Sequence, residues 1–122
     1  MTRPVVYIAG PITGWANYRE RFAGVARDLE DLNYTPLNPA VLPEGMTPAQ
    51  YMRICMAMLD SADAVVALPG WQESKGASIE VNLANYTATP VIMYPAHEVP
   101  VCRQLALGIA LDAAIQNKKR RM

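Results

Sequence analysis

Short apolar runs separated by long amphipathic stretches constrain this chain more than any other feature. Val5 to Ala9, Tyr34 to Leu37, Ala64 to Leu68 and Val91 to Tyr94 each read as a strand, and each interval is long enough for a helix. This alternation is the signature of an α/β domain with a parallel sheet. Val5, Val6 and Ile8, and the run AVVAL, are apolar on consecutive positions, as expected of strands covered on both faces. The expected architecture is a flavodoxin-like or Rossmann-like doubly wound parallel sheet of four to five strands with helices on both faces. Strand order 2-1-3-4 is the common solution.

The intervals support the helices. Asn17 can cap a helix whose Phe22, Val25, Ala26, Leu29 and Leu32 follow i, i+3, i+4 spacing, leaving Arg19, Glu20, Arg27 and Glu30 to water. Thr47 followed by Pro48 starts a second helix through Tyr51, Ile54, Met58 and Leu59. A third is expected from about Ala77 to Ala88. The last, from about Val99 to Asn117, is apolar on nearly all sides and predicts a homo-oligomer, a dimer or higher, built on this helix. Met52, Met56 and Met58 read as core filling. The Pro-rich stretch from Pro36 to Pro48 is about a dozen residues long, more than a plain connection needs, so it is expected to line a site.

With 122 residues, one domain over residues 1–117 accounts for the chain, followed by a basic tail at 118–122. Eleven basic and eleven acidic side chains cancel, so no whole-domain field draws in polymeric nucleic acid or an anionic membrane. Cys55 and Cys102 form no metal clip, and His97 is the single histidine. No metal and no cofactor is expected. The first residues lack the long apolar core of a signal peptide, and no apolar run approaches the roughly 20 residues that span a bilayer. A cytoplasmic protein is expected.

In doubly wound sheets, ligands bind beyond the carboxyl ends of the strands where the strand order reverses. Here that places Gly10, Pro11, Ile12 and Thr13, after the first strand, opposite Gly70, Trp71, Ser74 and Gly76, after the third. Small residues before a helix leave backbone N–H groups free for a phosphate or a sugar hydroxyl. Neither loop is a Walker A sequence or a GxGxxG fingerprint, which removes support for ATP and dinucleotide use.

Glu80 sits near the start of the following helix. It has three readings: an ordinary residue favoured by the helix dipole, a clamp on ribose hydroxyls, or a nucleophile at an anomeric carbon. Trp71 either stacks on a base or packs over its loop, and Asn38 either contacts a ligand or caps its turn. Trp15 and Tyr18 shape the pocket mouth or staple the first helix. Arg19 reads as exposed, with phosphate contact as the alternative.

The segments YIAGPITG (Tyr7 to Gly14), SADAVVALPGW (Ser61 to Trp71) and SKGASIE (Ser74 to Glu80) resemble the nucleoside 2-deoxyribosyltransferase superfamily, which includes the 2′-deoxynucleoside 5′-monophosphate N-glycosidases. The likeness is to a branch of small phage and bacterial proteins and covers nearly the whole chain. It implies a flavodoxin-like fold and cleavage or transfer at the N-glycosidic bond of a deoxynucleotide or deoxynucleoside. By the same resemblance Glu80 is the nucleophile and Tyr7 orients it. Ser74 stands six residues before the nucleophile, where transferases carry aspartate and the monophosphate glycosidases serine. With the Gly76 amide, it points to a 5′-monophosphate. The family places an acid/base aspartate where this chain has Cys55, and a thiol is a poor proton donor at neutral pH. That departure carries an alternative, a nucleotide-binding or sequestering protein that retains the pocket without catalysis. A phosphoribohydrolase acting on ribonucleotides is the other.

Overall fold

Side-chain alternation in the first strand divides the molecule into two layers. In β1 (Val5–Ala9), Val6 and Ile8 point to one face of the sheet, and Tyr7 and Ala9 to the other. The computed structural model describes residues 2–121. It contains one four-stranded, fully parallel sheet of β1, β2 (Thr35–Leu37), β3 (Ala64–Ala67) and β4 (Val91–Met93), in the order β2-β1-β3-β4. Tyr7 pairs in register with Leu37 on one side and Val65 on the other. The expected fold class and strand order are those found.

Helix α1 (Tyr18–Asp31) and helix α4 (Pro100–Arg121) cover one face. Phe22, Val25 and Leu29 of α1 meet Leu107, Leu111 and Ile115 of α4 over Val6, Ile8 and Val66. Helices α2 (Pro48–Asp60) and α3 (Lys75–Tyr86) cover the other, where Cys55, Leu59, Val81 and Ala84 pack on Tyr7, Ala9 and Val65. The full burial of this apolar surface is the main stabilising term.

Local chemistry explains the helix ends. Thr47 and Gln50 form a reciprocal capping box, with the Gln50 amide donating to Thr47 Oγ1 at 3.1 Å and the Thr47 amide to Gln50 Oε1 at 2.9 Å. Asn17 holds the capping position of α1 without a side-chain bond, because its φ of −107° and ψ of 31° lie outside the extended conformation that aims a cap at the first amides. At the end of α3, Thr89 N donates to Ala84 O at 2.8 Å. This Schellman closure forces Ala88 to φ 60°, a position where glycine is usual.

One expectation about the C-terminus changes. The final helix runs on to Arg121, so Lys118, Lys119 and Arg120 are its last turn rather than a separate tail. Met122 lies outside the described residues. Of the helix's six branched aliphatic side chains, Leu107, Leu111 and Ile115 are buried in the core, whereas Val101, Leu105 and Ile109 are exposed. Asp28, itself buried on α1, ties down α4 and the segment that leads to it: Arg103 Nε donates to it at 2.8 Å and Gln104 Nε2 at 3.2 Å from the helix, and Tyr94 Oη at 2.5 Å from the segment after β4. No helix among the described residues is long and apolar enough to cross a membrane.

Candidate active site

The C-terminal ends of β1 and β3 open into a cavity of about 800 Å³, bounded by the β1–α1 loop, the segment between β2 and α2, helix α2 and the first turns of α3. Strand alternation turns Tyr7 toward the α2/α3 layer. Glu80 lies on the sheet-facing stripe of α3 with Ala77, Val81 and Ala84, and Cys55 lies on that of α2 with Leu59. These three side chains, from three different elements, meet at the cavity floor.

Tyr7 Oη donates to Glu80 Oε2 at 2.7 Å. Tyr7 has no exposed surface and Glu80 is 6% exposed. Burial pushes the Glu80 carboxyl up to about 7, against the opposing effect of hydrogen bonds from Tyr7 and Cys55. Burial, reinforced by the Glu80 charge, holds the Tyr7 phenol far above its ordinary value, so it acts as a donor throughout the accessible pH range. The Cys55 thiol, within hydrogen-bonding reach of both, is likewise raised by burial, with the Tyr7 bond pulling the other way, and stays protonated at neutral pH. The result is a carboxylate poised near neutrality, with one oxygen fixed by a phenol.

Above the floor, α3 begins at the cavity wall. Ser74 is its N-cap, its Oγ accepting from Ala77 N at 3.3 Å. The amides of Lys75 and Gly76, at the first two helical positions, have no acceptor within the helix, and they adjoin the cavity. Together with the positive end of the helix dipole they form a place for an anionic oxygen. Gly10, Ile12 and Thr13 line the facing wall. Gly10 has to be glycine there because a Cβ would stand 2.9 Å from Leu68 Cβ.

Four residues selected from the sequence do not line the cavity. Asn38 Oδ1 accepts from Ala40 N at 2.9 Å and so caps the short 3-10 turn Pro39–Val41. Pro11 is fully buried. Gly70, at φ 90°, lies under the Trp15 ring, where a Cβ would be 2.9 Å from ring carbons. Trp71 packs against the Tyr7 side of the sheet, covering the core rather than presenting a face to a ligand.

Trp15 therefore latches the two loops together, and Arg21 adds to the latch. Its guanidinium lies 4.4 Å from the Trp15 ring centroid and donates to Pro69 O at 3.2 Å. Arg19 is committed elsewhere: it donates to Ala40 O at 2.7 Å and lies 3.9 Å from Glu44, pinning the β2–α2 segment. Met52, read as core filling, lines the cavity, as do Tyr18, Met46, Tyr51 and Lys75. The position of Met52 three residues before Cys55 on α2 is the signal that would have found it.

The fold is similar to that of a 2-deoxyribosyltransferase from the psychrotolerant bacterium Bacillus psychrosaccharolyticus, with a TM-score of 0.60 and 18% identity over 78% of this chain and 75% of that one. At this identity the likeness speaks to the fold, and it is the fold implied by the resemblance in the sequence. No curated protein matches the chain. A family model described as a domain of unknown function, DUF4406, matches residues 4–93. Its match takes in all four strands and the whole of the cavity floor, and the chain belongs to the DUF4406 family.

Proposed function

We propose that this protein cleaves or transfers at the N-glycosidic bond of a 2′-deoxynucleoside 5′-monophosphate, through a covalent glycosyl-Glu80 intermediate. The observation that carries the reading is the buried Tyr7–Glu80 pair at the floor of a cavity whose wall offers the free amides of the first turn of the helix that carries Glu80. Glu80 attacks C1′ with the oxygen that Tyr7 does not hold. Tyr7 fixes the carboxylate so that its orientation does not have to be found during the reaction. Ser74 and the Gly76 amide take the 5′-phosphate, with Gly10, Ile12 and Thr13 against the sugar. The absence of a 2′-hydroxyl eases development of the oxocarbenium-like transition state, so one carboxylate is sufficient for the attack.

A second reading is favoured by Cys55, whose protonated thiol stands beside Glu80: a protein that binds and sequesters deoxynucleotides without turnover. The cytoplasmic setting and a homo-oligomer resting on the exposed Val101, Leu105 and Ile109 face belong to the proposal in either form. The test is incubation of wild type and Glu80→Ala with each of the four deoxynucleoside monophosphates and the matching ribonucleotides, with free base scored by chromatography and binding measured in parallel. Base release from deoxynucleotides by wild type alone is expected. Tight binding without release, with or without an acceptor base, would leave the sequestering reading, and equal release from ribonucleotides would indicate the phosphoribohydrolase.

A further inference from the structure

Two fixed points set how a ligand lies in the cavity. With C1′ at Glu80 and a phosphate at the α3 amides, the leaving group falls against the remaining wall, formed by Ala40, Leu42, Met46, Pro48, Met52 and Tyr18. That wall is almost entirely carbon and thioether. No Asn, Gln, Asp, Arg or His side chain lines the cavity among the described residues. Flat apolar walls hold any planar ring, because every aromatic ring has a face to stack.

The titratable groups of the cavity are otherwise engaged. Glu80 is the nucleophile, and the Tyr7 phenol donates to it. The Tyr51 phenol donates to Pro43 O at 2.7 Å. Glu73 and Lys75 stand beside Ser74, on the phosphate side. The thiol of Cys55, raised by burial, holds its proton, and the Tyr18 hydroxyl is the remaining O–H on the leaving-group wall. A nitrogen base leaving with the bonding electron pair needs either a proton or enough acidity of its own to carry the charge.

We infer that the leaving group departs from this site without a proton from the protein, so that its substrates are 2-deoxyribosyl compounds with acidic leaving groups, sorted by leaving-group acidity rather than by base identity. This rests on the glycosyl-Glu80 reading. In the first step the Glu80 oxygen forms a bond to C1′, and the C1′–N bond breaks with its electron pair going to the base, which leaves as a delocalised anion and takes a proton from water. In the second, water or an acceptor base forms the new bond to C1′, the ester bond breaks to restore the Glu80 carboxylate, and the nucleophile's proton is released to solvent.

The test uses aryl 2-deoxyribofuranoside 5′-phosphates whose phenols are graded in acidity by nitro, halo and methyl substituents, with single-turnover rates measured for wild type, Glu80→Ala and Tyr18→Phe. Expected is Glu80-dependent turnover that falls by roughly three- to ten-fold for each unit by which the phenol becomes less acidic, the behaviour of an unassisted departure. The same steep slope is expected in Tyr18→Phe. A flat series that still requires Glu80 would overturn the inference while leaving the glycosyl-Glu80 reading intact. A slope that steepens in Tyr18→Phe would also overturn it, identifying Tyr18 as the proton donor. No Glu80-dependent turnover of even the most acidic phenol would overturn both.

Discussion

Tyr7 Oη donates to Glu80 Oε2 at 2.7 Å across 73 residues of sequence, joining the centre of the sheet to the second turn of α3 with both groups buried. A hydrogen bond to a charged acceptor contributes about 1.5–3 kcal/mol. Tyr7→Phe is therefore expected to lower kcat by about 10- to 100-fold, since each 1.4 kcal/mol is a factor of ten. Because the bond favours the ionised carboxylate, its loss moves the acid limb of the pH–rate profile upward. Steady-state kinetics across pH on the most reactive donor check both.

The position of Glu80 makes activity and stability depend on pH in opposite senses. The attacking carboxylate has to be ionised, so kcat/KM is expected to rise with pH through about 7. Stability runs the other way. Burial raises Glu80 from 4.5 unfolded to about 7 folded, so its contribution is fully present below 4.5 and lost as pH rises through 7. Glu80→Gln removes the cost of the buried charge and is expected to exceed wild type in stability at pH 8 by a few kcal/mol, about 3 on the scale of 1.36 per pKa unit. At pH 4 the difference vanishes. Urea unfolding of the two proteins at both pH values measures it.

Asp28 fastens α4 through Arg103 and Gln104, and the segment after β4 through Tyr94. Burial works to raise its carboxyl, but the hydrogen bonds from Arg103, Tyr94 and Gln104 and the Arg103 charge together hold it below the ordinary carboxylate range. Its contribution is accordingly present above pH 3.8 and lost as pH falls through the lower folded value. Asp28→Ala is expected to cost roughly 2–4 kcal/mol, mostly by stranding the groups that bind the carboxylate. Hydrogen exchange should show α4 losing protection ahead of the β1 and β3 amides.

Ala88 adopts φ 60° to close α3, a conformation that L side chains pay for and glycine does not. Ala88→Gly is expected to raise stability by about 0.5–1 kcal/mol, the left-handed strain relieved less the added freedom of the unfolded chain. Thermal unfolding at neutral pH checks the sign, because most substitutions at an exposed position leave stability unchanged or lower it.

What was legible in the sequence followed from periodicity. The apolar runs located all four strands, and the small-residue loop placed Glu80 near the start of the helix that follows it, while its burial on one stripe with Ala77, Val81 and Ala84 is a finding of the structure. What was not legible depended on which way loop residues turn. Asn38, Gly70 and Trp71 lie beside the cavity in sequence but are taken up by a cap, a close approach to Trp15 and the core, none of which carries a period. The reach of α4 to Arg121 was missed because its last turn is all polar or basic, and packing earlier in the helix carries it.

The proposed chemistry is tested most directly by catching the covalent intermediate. Wild type and Glu80→Ala would be mixed with a 2′-deoxyribosyl 5′-phosphate donor bearing an acidic leaving group, quenched in acid within the first turnover, digested and weighed by mass spectrometry. Expected is a single 2-deoxyribosyl phosphate on the peptide containing Glu80, absent from Glu80→Ala. Base release at an undiminished rate by Glu80→Ala, with no adduct on either protein, would contradict a glycosyl-Glu80 mechanism.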